Sequence, residues 1–195
     1  MNFTDEYYNK NAQDFYESTV NADVASIYER FLKYVPENAR ILDFGCGSGR
    51  DTKAFLEKGF DVDGIDGSEQ LCKLASDFTG ISIKCMDFMD FDALDEYDAI
   101  WACASLLHVS EEILPIILNK LVESLRSCGI VYASFKYGEF EGERNGRFFL
   151  DMNEERINKV FNKINGLEIA EEWISEDVRL DKKCKWMNVI FRKLI

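Results

Sequence analysis

Three glycines stand in one short run, Gly45-Cys46-Gly47-Ser48-Gly49, after the apolar stretch Ile41-Leu42-Asp43-Phe44 and just before Arg50. Glycine is what a chain needs where it turns sharply from strand to helix and lets a ligand rest on bare backbone. A loop that cradles a dinucleotide pyrophosphate needs Gly-x-Gly-x-x-Gly. Here the third glycine comes one position early and Arg50 fills the required place, so the spacing argues against a nicotinamide or flavin site. Taken alone, the segment is equally well a plain glycine-rich turn.

Two acids give it company. A second apolar run ends at Asp66, about twenty residues on, where a carboxylate can accept hydrogen bonds from both hydroxyls of a ribose. The competing use of such an acid is to cap the next helix, but Ser68 already fills that role. A third run ends in Met86-Asp87-Phe88. A carboxylate there can take a hydrogen bond from an adenine amino group while Met86 or Phe88 packs on the ring. An aspartate at a strand end is common, and its weight comes from lying in series with the other two. All three fall at the carboxyl ends of neighbouring strands, where open α/β sheets bind ligands. His108 is the single histidine. It follows the fourth strand, on the same rim, and its ordinary pKa suits a general base at neutral pH. A histidine there serves equally well as a satisfied structural group or a pocket wall.

The elements that must position these residues alternate. Residues 3–18 carry Phe3, Tyr7, Tyr8, Phe15 and Tyr16 among polar residues and read as a helix or helix-loop. Apolar residues at helical spacing mark 21–35, and Pro36 stops that helix. Strands are expected at Arg40–Phe44, Phe60–Ile65, Ile81–Cys85, Tyr97–Cys103 and Gly129–Phe135. Helices fall between them at Asp51–Lys58, from Ser68 to about Asp77, and at Leu114–Arg126. Trp101 and the last of these helices read as core. Residues 137–147 form a charged, glycine-rich loop, in which Glu139, Glu141, Glu143, Arg144 and Arg147 either face a charged ligand or pair with each other. Gly138, Gly142 and Gly146 would make it mobile. A helix at about 153–164 and an antiparallel pair, Leu167–Ile174 with Lys185–Arg192, complete the chain. Strand and helix in alternation imply an α/β fold, a parallel sheet with helices on both faces. No linker or repeat interrupts the 195 residues, which are expected to form one domain with 1–35 as a helical cap.

Composition narrows the partners. The chain is 47% hydrophobic, enough for a real core, and carries a formal net charge of -13. So acidic a chain is a poor match for nucleic acid or an anionic membrane. The six cysteines form no Cys-x-x-Cys pair, and one histidine makes a zinc site improbable. The N-terminal residues have no basic and apolar signal pattern, and no stretch is long enough to span a membrane, so the expected address is the cytoplasm.

With these residues in view, the chain resembles the class I S-adenosylmethionine-dependent methyltransferases over nearly its whole length. Leu42-Asp43-Phe44-Gly45-Cys46-Gly47-Ser48-Gly49 matches the family's first motif, Asp66 its ribose-binding acid, and Asp87 with Phe88 its adenine-binding pair. Tyr97-Asp98-Ala99-Ile100-Trp101-Ala102-Cys103 matches the fourth strand. The Gly-Ser-Gly-Arg-Asp run and Ser105-Leu-Leu-His108-Val are similar to the tellurite-resistance or thiopurine-type branch, which acts on small molecules. The resemblance implies a Rossmann-like seven-stranded mixed sheet in the order 3-2-1-4-5-7-6, with the seventh strand antiparallel. It implies S-adenosylmethionine as cofactor, cradled by Gly45, Gly47 and Gly49, with Asp43 and Arg50 fixing its amino and carboxylate ends. Cys46, Gly67, Ser68, Met86, Cys103, Ser105 and a tyrosine of the N-terminal region, Tyr16, are its further expected contacts. The methyl acceptor, expected to be a small molecule, would lie near Ser105, His108 and the 137–147 loop. The Asn-Pro-Pro-Tyr motif of amino-directed DNA methyltransferases is absent, so DNA is not the expected acceptor. Two rival readings stay open: a non-catalytic S-adenosylmethionine-binding protein and a nicotinamide oxidoreductase.

Overall fold

The structure is a computed structural model and describes residues 3–161, 163–179 and 184–194. Its central strands are buried on both faces, and the sequence shows why. Along β4 (Tyr97–Ala102), Ala99 and Trp101 enter one core while Ile100 and Ala102 enter the other. The same alternation divides Ile130 and Tyr132 from Val131 and Ala133 in β5 (Leu125–Lys136). Continuous apolar runs of this kind are what a parallel sheet covered on both sides requires. One face is closed by α6 (Leu114–Ser124) and α7 (Glu154–Phe161), the other by α3 (Ala25–Leu32) and α4 (Arg50–Glu57).

Seven strands form the main sheet. Beside β4 and β5 these are β1 (Arg40–Phe44), β2 (Asp61–Asp66), β3 (Lys84–Cys85), β8 (Leu167–Glu176) and β9 (Lys185–Lys193), in the order β3-β2-β1-β4-β5-β9-β8. The first five run parallel, and β9 is antiparallel to both its neighbours. Counted without the separate hairpin described next, this is the expected order with its seventh strand reversed. The remaining helices are α1 (Phe3–Lys10), α2 (Ala12–Thr19) and α5 (Glu69–Thr79), the last capped by Ser68 Oγ, which accepts from Leu71 N.

Three expectations are corrected. The third strand pairs only at Lys84 and Cys85, not from Ile81, because the Ile83 amide donates to Ser76 Oγ at 3.0 Å instead of to the ladder. The helix expected to reach Arg126 stops at Ser124, and Leu125 already pairs with Tyr97 as the start of β5. The 137–147 segment is not wholly irregular. It contains β6 (Glu141–Arg144), which pairs antiparallel with β7 (Arg147–Leu150) across the turn Asn145-Gly146. Both turn residues have positive φ, 52° and 75°. Asn-Gly between two strands is the strongest short-range hairpin signal, and it favours this turn because both residues tolerate the left-handed region.

Candidate active site

The site grows from the end of β1. The amides of Gly45 and Cys46 both donate to Ile65 O at 2.9 Å, which ties the loop to the end of β2. Gly45, Gly47 and Gly49 all have positive φ. At Gly45 the need is also steric: a Cβ would come 2.4 Å from Ser105 Cβ. Gly45 and Gly47 border a cavity of about 680 Å3, whereas Gly49 faces Ala75 and Thr79 of α5 and so serves helix packing.

Asp66 lies beside this loop. Its Oδ2 accepts from Gly47 N and its Oδ1 from Ser68 N, each at 2.9 Å. A carboxylate has about four lone-pair sites, so these two bonds leave acceptor capacity on a group that borders the cavity. Burial raises its pKa to about 6, against the pull of the loop amides. Ser105 Oγ, on the opposite wall, is buried without a partner. Asp87 borders the cavity and caps a short turn by accepting from Met89 N at 2.9 Å. Phe88 stacks on Phe44 with ring centres 4.2 Å apart and shows an edge to the cavity beside Gly45. Met86 packs instead against the core, away from this space.

The two residues expected at the amino and carboxylate ends part company. Asp43 is buried and accepts from Thr52 Oγ1 at 2.6 Å. Burial and the nearby charge of Asp51 raise its pKa. It supports the loop from behind and does not line the cavity. Arg50 does line it, held by Asp51 through Nε–H at 2.6 Å and a second N–H at 2.8 Å. Asp51 accepts further hydrogen bonds from Trp101 Nε1 at 2.8 Å and from the Tyr28 hydroxyl. Cys103 sits next to this group, and burial pushes its thiol up to about 12, so no thiolate nucleophile exists there at neutral pH. All six cysteines are free thiols.

Helix α1 spans the cavity as a strap. At one end Asn9 Oδ1 accepts from Ser68 Oγ at 2.8 Å and Gln70 N at 3.1 Å. At the other, Thr4 Oγ1 accepts from Phe148 N at 3.1 Å. Between them Tyr8 faces the cavity and reaches His108 Nε2 at 2.8 Å. His108 Nδ1 lies 2.6 Å from Phe148 O, which can only accept, so Nδ1 carries the proton and Nε2 accepts from the Tyr8 hydroxyl. Burial lowers the His108 pKa to about 4. The imidazole is thus neutral, with both nitrogens occupied. Tyr16 lies against Phe78, ring centres 6.0 Å apart, and does not line the cavity. Gly67 does line it, with Asp5 of α1 close by.

Of the charged hairpin residues, Arg144 pairs with Asp151, Glu141 with Arg156, and Glu139 accepts from Asn153. Arg147 alone of these five turns into the cavity, together with Lys136 at the end of β5. Phe15, Asp51 and Lys136 are cavity residues that the sequence alone did not mark as part of the site, whereas Arg147 is one of the five loop charges expected to face a charged ligand or to pair within the loop.

Residues 41–129 match the family described as methyltransferase domain. YqeM of Bacillus subtilis, a methyltransferase by name, is 30% identical over 132 residues. That match covers 57% of this chain and 51% of YqeM, about half of the relative's own length. An uncharacterized methyltransferase of Anoxybacillus flavithermus is 29% identical over 75% of this chain and 74% of its own length. Among solved structures, the Burkholderia thailandensis 1,6-didemethyltoxoflavin-N1-methyltransferase, with bound 1,6-didemethyltoxoflavin and S-adenosylhomocysteine, superposes with a TM-score of 0.72. It is 19% identical, and the superposition covers all of this chain and 92% of that one.

Proposed function

We propose that the chain is a class I S-adenosylmethionine-dependent methyltransferase, a reading supported by its fold and by the methyltransferase-domain match of residues 41–129, and that it transfers a methyl group from S-adenosylmethionine to a small molecule. The observation that carries this reading is Asp66. Its carboxylate is fixed by two loop amides, retains acceptor capacity, and stands beside a glycine wall where no side chain fits. That is a seat for a ribose with its two hydroxyls. Asp87 and the edge of Phe88 would hold the adenine. Arg50, kept in place by Asp51, would meet the carboxylate of the methionine part, and Ser105 Oγ would bond to the same ligand. Cys46, Gly67 and Cys103 fit as wall contacts, while Asp43, Gly49, Ser68 and Met86 would act by shaping the loop and its neighbours. Tyr16 has no place in this proposal.

S-adenosylmethionine supplies an electrophilic methyl group, and the protein's task is to align nucleophile, carbon and sulfur and to exclude water. The α1 strap suits the exclusion of water, since Thr4, Asp5 and Tyr8 line the cavity and both ends of the helix are tethered. His108 would position Tyr8 and the hairpin, because neither of its nitrogens is free to take a proton from an acceptor. The similarity to proteins of two bacteria named as methyltransferases and the fold shared with the 1,6-didemethyltoxoflavin-N1-methyltransferase support the reading.

Titration calorimetry with S-adenosylmethionine, S-adenosylhomocysteine and NADH tests the cofactor. The first two should bind and NADH should not. NADH binding without S-adenosylmethionine binding overturns the assignment. Turnover is tested by S-adenosylhomocysteine release from a small-molecule cell extract. Binding without release from any extract favours the non-catalytic alternative.

A further inference from the structure

The cavity wall beyond the glycine loop holds positive charge that the protein itself does not neutralise. Lys136, the last residue of β5, and Arg147, the first of β7, both border it. Lys136 Nζ lies 4.7 Å from the centre of the Phe149 ring, and Arg147 Cζ lies 5.0 Å from the same centre. The contact of Arg147 with oxygen is a hydrogen bond to the Tyr8 hydroxyl at 3.2 Å. Among the described residues, neither cation meets a carboxylate within ion-pair distance. Arg144, 4.9 Å from that ring centre, does so through Asp151. Three cations thus surround one phenyl ring with one carboxylate among them. The Nε–H groups of Arg144 and Arg147 are buried without an acceptor.

This arrangement runs against the rest of the molecule. The chain has 36 acidic residues and 23 lysines and arginines. Acids in such excess could pair every cation, yet among the described residues these two border a large cavity with no carboxylate at ion-pair distance. Partly buried charge without a partner is costly, and burial lowers the Lys136 pKa, with Arg144 and Arg147 adding to the effect. An anion entering the cavity would relieve both terms through charge-assisted hydrogen bonds. Tyr8, whose ring centre lies 5.6 Å from Arg147 Cζ, supplies aromatic surface beside them, and Trp186 also lines the cavity.

We propose that the methyl acceptor is a small molecule with an aromatic or apolar body and one anionic head, a carboxylate or a phosphate, received by Lys136 and Arg147. This rests on the methyltransferase reading above. The lobe beside the hairpin is the acceptor's, and the glycine lobe is the cofactor's.

The test titrates benzoate, phenyl phosphate and benzamide into the protein saturated with S-adenosylhomocysteine. At least one of the two anions should bind about tenfold or more tightly than neutral benzamide, as expected for charge-assisted contacts, and the tighter of the two identifies the head. Lys136→Met and Arg147→Met should each remove most of that preference without changing the affinity for S-adenosylhomocysteine. Lys136→Arg should keep it, which separates lost charge from lost folding. Equal binding of all three probes, binding by neither anion, or an undiminished preference in both methionine variants would overturn the proposal. Failure of the parent reading looks different: S-adenosylhomocysteine would not bind, while the anion preference would persist in the protein alone.

Discussion

Replacing Gly45 by alanine separates two costs that the glycine loop avoids. The first is backbone strain. Gly45 has φ +82°, and a non-glycine residue held in the left-handed region costs roughly 1–2 kcal/mol. Part of this returns, because alanine loses about 0.4–1 kcal/mol less chain entropy on folding than glycine does. The second is overlap. The new Cβ would stand 2.4 Å from Ser105 Cβ, inside any allowed contact, and 3.1 Å from the Phe88 ring, a tight one. Forcing atoms into a packed site costs typically 1–3 kcal/mol. Gly59 provides the control: its φ is +89°, and an added Cβ would meet nothing within 4 Å. Gly59→Ala therefore carries strain alone, roughly 0–1.6 kcal/mol net of the entropy gain. Urea unfolding of both variants should show Gly45→Ala less stable than Gly59→Ala by about 1–3 kcal/mol. The same variant should lose S-adenosylmethionine affinity, since Ser105 must move from the cavity wall, while Gly59→Ala should keep it. Equal stabilities within the error of extrapolation would refute the close approach of the loop to Ser105.

Other outcomes follow from the same geometry. Asp66→Asn should weaken S-adenosylmethionine binding by about 1–3 kcal/mol, because an amide cannot accept from both loop N–H groups and a ribose; unchanged calorimetric affinity would remove Asp66 from the site. The folded Asp66 carboxyl protonates near pH 6, above an ordinary aspartate. The folded chain therefore takes up a proton that the unfolded chain does not, and wild type should gain stability relative to Asp66→Asn as pH falls from about 7 to about 4. Its cofactor affinity should fall over the same range, because the protonated carboxyl has lost an acceptor; a pH-independent difference between the two proteins would contradict this. Nitrogen NMR of the single histidine should show a neutral ring protonated at Nδ1 and no titration between pH 5 and 8, and a midpoint near 6.5 would mean that His108 is solvated. Asn9→Ala removes the acceptor for Ser68 and Gln70, which should speed amide exchange in α1 while leaving α6 protected.

The fold was legible because its signals are local and repeat. Short apolar runs marked β1, β2 and β4, and Ser68 announced α5 by its cap. What failed was whatever the tertiary structure decides. Ile83 left its ladder for a side-chain acceptor that only folding brings near. Leu125 joined a strand because Tyr97 waits beside it, not through any break in helical pattern. The placement of Asp66 beside the glycines followed from the end-to-end register of parallel strands, which motif spacing encodes. The turning away of Asp43 could not be read, because its acceptor role is taken by Thr52, which only the packing of α4 brings to it. Lys136 and Arg147 stood in plain sight as charges, but only the hairpin's closure over the sheet shows that one faces the cavity with the other.

Trp101 has a practical consequence. Its indole is fully buried, stacked on Tyr132 with ring centres 4.1 Å apart, and its N–H is held by the carboxylate that also holds Arg50. A ligand that draws the guanidinium toward itself would change the electric field along that indole without touching it. The intrinsic fluorescence of the protein would then act as a built-in gauge of its own filling. A Trp101→Phe variant, silent at that position, would show which part of the optical signal belongs there.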